Sequence, residues 1–422
     1  MMHTSVEGVQ DPRSAYREAL IELAETDSRV VCLDTDTGGL EKTFGARFPD
    51  RYLNVGIAEA NMFGVAAGLA ARGFIPYTHT MATFATLRAG EQLKLDIIGN
   101  RLPVRVVATH GGLSAAHFGT SHYALEDLAV MRALGEATIV VPADSTEIRP
   151  VMRSLHDHPG PSYLRLGRSK TPSVHTDRVS FSLGRAVTLR EGTDVCVIAM
   201  GALPVLMALE AGRELAANDL SCHVLQIQTL APLDTESVVK AACSSAGVVT
   251  VEEHRPSGGL GDSVAETLGA LPVPHLRVAV RGRVGTRVLE HRGALEESGV
   301  SAAAIRDAAL RIIAMRRYHT MPAQPNETNG SSSHVVSETD RVPSTFVAEL
   351  YARVLGIDHV EDRDDFFVLG GTSLSAMELL DVIAAETGVH VPIRSFYQST
   401  GVAELTRVVN HRLTRSTGEE EN

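Results

Sequence analysis

The sequence predicts two consecutive parallel-sheet α/β domains followed by a small helical bundle. Three observations lead there. From Pro12 to Met315, apolar runs of strand length alternate with segments of helical period. Thr320–Arg341 is rich in Pro, Asn, Ser, Gly and Thr and nearly free of bulky apolar residues. Beyond it, three helical stretches are legible. β/α alternation argues for sheets covered on both faces, with ligands at the carboxyl ends of the strands. A polar, Pro- and Gly-bearing tract reads as a flexible linker.

Each element has its own warrant. Ser14–Thr26 carries Tyr16, Leu20 and Leu23 at helical spacing. Val30–Leu33 is a buried strand ending in Asp34-Thr-Asp36-Thr-Gly-Gly. The residues from Arg51 form a short strand, a Gly turn and a small-residue helix that starts near Glu59 and includes Phe63–Ala71. Strands follow at Ile75–Thr78, Val104–Thr109, Thr138–Pro142 and Ser162–Leu166, with helices at Phe84–Gly99, Ala124–Leu134 and Ser145–His156 between them. A second domain starts near Gly184. It has strands at Asp194–Met200, Ser221–Gln228 and Val248–Glu252, a helix at Leu203–Ala217 and a closing helix at Ser301–Met315. The last unit has helices at Ser344–Leu355, Leu374–Thr387 and Val402–Thr414. The resulting boundaries are 10–172, 184–318, a linker at 319–342, and 343–415.

The chain has 422 residues, enough for two or three domains. Its net charge of −12 argues against a nucleic-acid partner. From Pro343 onward there are 13 Asp/Glu against 6 Lys/Arg, so −7 sits in the last unit and marks it as a separate acidic module. Cys32, Cys196, Cys222 and Cys243 are scattered without a C-x-x-C pair. A reduced cytoplasmic protein with buried thiols is the simplest reading. The N-terminus has no apolar signal core, and no apolar run reaches membrane length.

Glu59 lies in Val55-Gly-Ile-Ala-Glu59-Ala-Asn-Met62. A carboxylate in the first turn of a helix can simply complement free N–H groups and the helix dipole. The wider pattern resembles the pyrimidine-binding domain of transketolases and related thiamine diphosphate enzymes. That resemblance covers Pro12 to about Arg317 in two blocks, the second around Val251-Glu-Glu-His254 through Gly261. It implies that Glu59 hydrogen-bonds N1′ of the aminopyrimidine and favours the imino tautomer that takes the thiazolium C2 proton, while the cofactor carries the carbanion chemistry.

Other positions follow from the same resemblance. Thr80-Met81-Ala-Thr-Phe84-Ala-Thr-Leu87-Arg88 resembles the family's aromatic stretch. Phe84 would stack on the aminopyrimidine, with Met81 and Leu87 making the pocket apolar. Arg88-Ala-Gly-Glu91-Gln92 is similar to R-A-x-[DE]-Q. Asp36 would face the cofactor or the dimer interface. Arg13, 23 residues earlier, matches a donor-phosphate arginine. Thr109-His110-Gly-Gly-Leu-Ser-Ala-Ala-His117-Phe118-Gly-Thr-Ser-His122 resembles the family's histidine loop. His110 and His122 would handle donor hydroxyls and phosphate, and His122 could shuttle a proton to the carbonyl oxygen. His117 joins the substrate-binding set. The three histidines stand 7 and 5 apart, which is no common zinc spacing, so no metal site is assigned to them. Phe118 replaces the aspartate that recognises a donor hydroxyl, which leaves the donor open among a ketose phosphate, a shorter ketose and a 2-oxoacid. Arg168, in Leu-Gly-Arg-Ser, resembles a phosphate-gripping arginine and favours the first.

The upstream diphosphate domain with its G-D-G…N motif is absent from these residues. The resemblance therefore implies the small subunit of a split transketolase. A separate diphosphate-domain α subunit would hold Mg²⁺ and pair with it as α2β2.

Asp364-Asp-Phe-Phe-Val-Leu-Gly-Gly-Thr-Ser373-Leu is the most specific motif. An N-capping serine after a Gly turn would be its plain reading. The full pattern resembles the attachment loop of acyl and peptidyl carrier domains over Pro343–Leu413 and implies 4′-phosphopantetheine on Ser373. Gly370-Gly371 lets the backbone turn, and the helix start offers free N–H groups to the phosphodiester. Together the signatures imply a subunit that moves a two-carbon ketol unit from a ketose phosphate to its own arm as a glycolyl thioester, for nonribosomal peptide or polyketide biosynthesis. Its implied partners are a phosphopantetheinyl transferase, a downstream synthase or acyltransferase, and a lipoyl or other redox protein. The alternatives are ketol transfer to an acceptor already tethered to the carrier, a 2-oxoacid dehydrogenase-like acyl loader, and a carrier on a silent scaffold.

Overall fold

The computed structural model describes residues 11–175, 181–269, 271–282, 284–285, 287–319, 342–371, 373–392, 395–396 and 399–416. The chain forms two compact units, divided after Ile313.

The first unit holds both α/β domains. Its strands run β1 (Val30–Asp34), β2 (Tyr52–Asn54), β3 (Ile75–Met81), β4 (Arg105–Thr109), β5 (Thr138–Val140) and β6 (Ser162–Arg165). They continue with β7 (Ala186–Arg190), β8 (Val195–Met200), β9 (Cys222–Ile227), β10 (Thr229–Ala231), β11 (Val248–Glu252) and β12 (His275–Val278). One sheet has the order β10-β5-β6-β4-β3-β1-β2 and the other β12-β11-β8-β9-β7. Neighbours pair in parallel except at the β10 and β7 edges. Every residue of β1, β4, β6, β8 and β11 is buried, as expected where helices cover both faces.

Two features differ from the sequence expectation. β10 comes from the second domain but closes the edge of the first sheet by pairing with β5. One apolar core accordingly runs through both domains, from Ile139 and Tyr163 to Ile198, Leu225 and Leu230. The helix expected over Phe84–Gly99 is wound as two wide π turns, Phe84–Arg88 and Leu93–Ile98, flanking Gly90–Gln92. Such turns insert a residue and reset which side chains share a face. Cys32, Cys196 and Cys222 are buried and Cys243 is exposed; all four are free thiols.

In the second unit, helices Ser344–Leu355, Ser373–Thr387 and Val402–Ser416 pack around Phe366. Phe366 is fully buried, with Tyr351, Phe367 and Phe396 rings 4.9, 5.5 and 5.3 Å away. Gly371 is required there: a Cβ would sit 2.3 Å from the Phe366 ring and 2.5 Å from its carbonyl oxygen. A helix starts at Ser373, where the attachment serine is expected, and exposes Glu378, Asp381 and Glu386. The Ser373 side chain and the expected linker over 320–341 lie outside the described residues. Among the described residues no helix is long and apolar enough to cross a membrane.

Phe366→Ala should cost the second unit about 3–5 kcal/mol. Chemical denaturation should then show this unit's transition lost or shifted to much lower denaturant, with the first unit's transition in place.

Candidate functional site

The carboxyl ends of β1, β2, β3, β4 and β6 lead into the segments that bear the candidate residues. β2 ends at Asn54, whose side-chain oxygen accepts from Gly56 N at 2.9 Å. That turn starts the Glu59–Ala71 helix with no side-chain cap. Glu59 thus stands in an uncapped first turn, where free N–H groups favour an anion. It is 2% exposed.

A buried carboxylate needs a partner. Arg88 Nη1 supplies it, donating to both Glu59 oxygens at 3.1 and 3.0 Å. The same guanidinium lies 4.0 Å from the centre of the Phe84 ring. Both belong to the wide Phe84–Arg88 turn, which brings position 88 back over position 84. Met81 is half-buried. Leu87 is 60% exposed, so within this chain it closes no pocket; the wide turn carries it outward. Asp36 is exposed, at φ 60°, with Asn54 Nδ2 3.4 Å from its carboxylate.

The histidine loop leaves β4 through His110, a non-glycine residue at φ 58°. That conformation is costly and needs support. Thr109 Oγ1 lies 3.0 Å from His110 Nδ1. Glu253 Oε1 in the second domain accepts from Leu113 N at 2.5 Å and meets His291 Nε2 at 2.7 Å. His291 Nδ1 in turn lies 2.9 Å from Ser169 Oγ. Gly112, at φ 64°, lets Glu253 approach; a Cβ would overlap its carboxylate at 2.2 Å. The second domain therefore pins the loop.

The loop gathers its aromatic and basic groups around Phe118. The rings of His117, His122 and His110 stand 4.0, 5.1 and 6.3 Å from it, and Arg168 stands 5.8 Å away. Arg168 Nη1 donates to His117 Nδ1 at 3.3 Å. His122 also meets the Phe84 ring edge-on at 5.3 Å, which joins this cluster to Glu59 and Arg88. Burial, then Arg13 and Arg168, pushes His110 down to about 3. Arg13 itself is paired with Asp11 at 2.9 Å.

Phe84, His110, His117, Phe118, His122 and Arg168 are thus brought together, with Glu59 reached through Phe84 and Arg88; Arg13 bonds Asp11 and reaches His110 only through its charge. Sequence reasoning singles out Arg88 and Glu253 only as parts of motifs and misses His291 and His79. His79 is 2% exposed, stacks on Tyr16 at 5.4 Å, and is pushed down to about 4 by burial.

The donor set suits thiamine diphosphate. Arg88 is a planar N–H donor that already bonds Glu59 and stacks on Phe84, which is what an aminopyrimidine offers.

Residues 10–173 match the transketolase pyrimidine binding domain, 184–305 the transketolase C-terminal domain, and 345–409 the phosphopantetheine attachment site. A 6-deoxy-6-sulfo-D-fructose transketolase subunit of a Clostridium species is 40% identical over 65% of this chain and 86% of its own length. An apulose-4-phosphate transketolase subunit of Phocaeicola vulgatus is 36% identical over 62% and 85%. A solved split-gene transketolase, described as an inactive β4 tetramer, superposes with a TM-score of 0.67 at 38% identity, covering 74% of this chain and all of its own.

His110 gives a pH signature. Its folded value of about 3 lies below the unfolded value of 6.5, so the native state binds fewer protons between them. Its contribution is present above pH 6.5 and lost as pH falls, at about 1.4 kcal/mol per pH unit. Glu252, which burial pushes up to about 7, acts in the opposite sense. The clean measurement is therefore a difference. Between pH 7 and 5, wild type should lose about 2 kcal/mol relative to His110→Asn, which tolerates the same backbone. Urea melts at both pH values read it.

Proposed function

The chain belongs to the split-transketolase β-subunit family and bears a carrier domain, and on that footing we propose that it loads its own carrier arm with a two-carbon unit. The donor is a ketose phosphate, the acceptor is the phosphopantetheine thiol on Ser373, and the product is a glycolyl thioester. The observation that carries this reading is the presence, on one chain, of a buried Glu59 beside Phe84 and a phosphopantetheine attachment domain.

Thiamine diphosphate, when bound, supplies the nucleophilic carbon and electron sink that let a ketose break beside its carbonyl. Everything else falls to the protein. Glu59 hydrogen-bonds the aminopyrimidine and holds or releases a proton at N1′. Phe84 and Met81 orient the ring, and Leu87 completes that wall against a partner subunit. Asp36 faces the cofactor or the interface. Arg13 and Arg168 hold the donor's phosphate; both lie near enough to His110 to disfavour its charged form. His110 stays neutral and meets donor hydroxyls. His122 moves a proton at the donor carbonyl oxygen, and His117, held by Arg168, lines the same face. Phe118 fills the centre with an apolar ring, so a donor hydroxyl facing it finds no charged acceptor.

The electrons must balance. Glycolyl transfer takes a carbon at the aldehyde level to the acid level. Ketose phosphate, thiol and a disulfide give the shortened aldose phosphate, the thioester and a dithiol. The oxidant is thus a disulfide, of the lipoyl class, on a partner. A diphosphate-domain α subunit, with Mg²⁺, completes the cofactor site in an α2β2 assembly. The exposed Ile57 and Leu87, beside Glu59 and Arg88 in sequence, suit such a contact. Keeping site and arm on one chain raises the arm's effective concentration.

In the assembled complex, exchange of the thiamine C2 proton for deuterium should slow by roughly a hundredfold or more in Glu59→Gln. Equal exchange would reduce the first unit to a docking scaffold.

A further inference from the structure

The contact between Glu59 and Arg88 has an unusual shape. Glu59 is 2% exposed, whereas the Arg88 side chain is 46% exposed. One nitrogen of Arg88 spans both carboxylate oxygens, at 3.0 and 3.1 Å. Its guanidinium also covers Phe84 at 4.0 Å. A single flat cation therefore touches the two groups that the proposed function assigns to the aminopyrimidine.

We propose that Arg88 is a built-in latch: it occupies the position the aminopyrimidine would take against Glu59 and Phe84 and must swing away before thiamine diphosphate can bind. This rests on the reading of Glu59 and Phe84 as cofactor residues and adds a control to it.

Three arguments support the latch. The first is space. A group that hydrogen-bonds Glu59 and stacks on Phe84 needs the volume that the guanidinium now fills. The second is charge. The guanidinium already spans both oxygens of a buried carboxylate, so N1′ bonds Glu59 only once that contact is broken. Removing a partner from a buried charge is costly, so chains with Arg88 displaced are a minor population until a new donor captures them. The third is access. Arg88 ends a wide turn, and its side chain is half-exposed beside the exposed Leu87. Its release breaks its contacts to Glu59 and Phe84 and needs no rearrangement of the buried core.

The latch makes cofactor affinity depend on the fraction of chains with Arg88 displaced. A partner that gives Arg88 an acceptor outside the site, such as a carboxylate, would raise that fraction.

The test measures thiamine diphosphate binding, not turnover. Equilibrium dialysis with Mg²⁺ would use the full chain assembled with its diphosphate-domain subunit, as wild type, Arg88→Gln, Arg88→Lys and Glu59→Gln. The latch predicts that Arg88→Gln binds more tightly by roughly ten-fold, the scale of one charge-assisted hydrogen bond. Arg88→Lys, which keeps the charge but loses the flat fork, should bind more tightly by less. Glu59→Gln should bind more weakly. Should Arg88→Gln melt early, Arg88→Lys with a wild-type melt carries the same sign. Equal or weaker binding by the Arg88 variants, with Glu59→Gln still weakened, overturns the latch and leaves the cofactor reading standing. No binding by wild type, or equal binding by Glu59→Gln, removes the cofactor reading and the latch with it.

Discussion

A carboxylate taken out of water must be given a partner, and Glu59 is the carboxylate around which the first unit is arranged. It sits at the start of a helix made of small residues, 2% exposed, with no capping side chain. The partner available within the chain is Arg88, which a widened turn places over Phe84. Through Phe84 the contact extends to His122, and through Phe118 to His110, His117 and Arg168. The site is one connected surface of rings and cations with the buried Glu59 carboxylate at its edge.

Keeping that surface in place is the second domain's task. Glu253 crosses from it to Leu113 and holds the loop that follows the strained His110. His291 and Ser169 complete the strut. β10 adds a strand of the second domain to the first domain's sheet. These contacts make the two domains one compact unit.

What was legible in the sequence was local. The Glu59 helix start, the strand ending before His110 and the Gly370-Gly371 turn before Ser373 each depend on neighbours within a few residues. Binary patterning exposed most of the strands for the same reason. What was not legible depended on distance or on winding. Glu253 acts 140 residues from Leu113, and β10 pairs with β5 from the other domain. The role of Arg88 needs the extra residue of a π turn, which no simple helical period reveals. Leu87 was expected in a pocket and is exposed for the same reason. His79 gives no signal within its strand, yet it ends up buried next to Tyr16.

The central claim is that the cofactor face and the carrier arm of this chain act on the same two carbons. Intact-mass analysis of the phosphopantetheinylated chain tests it most directly. The chain would be mixed with its diphosphate-domain subunit, thiamine diphosphate, Mg²⁺, a ketose phosphate and a lipoyl disulfide. The account predicts a glycolyl-sized gain on the Ser373 arm that disappears without the disulfide and in Glu59→Gln. An arm that stays unloaded with every ketose phosphate, or loads equally well in Glu59→Gln, would contradict it.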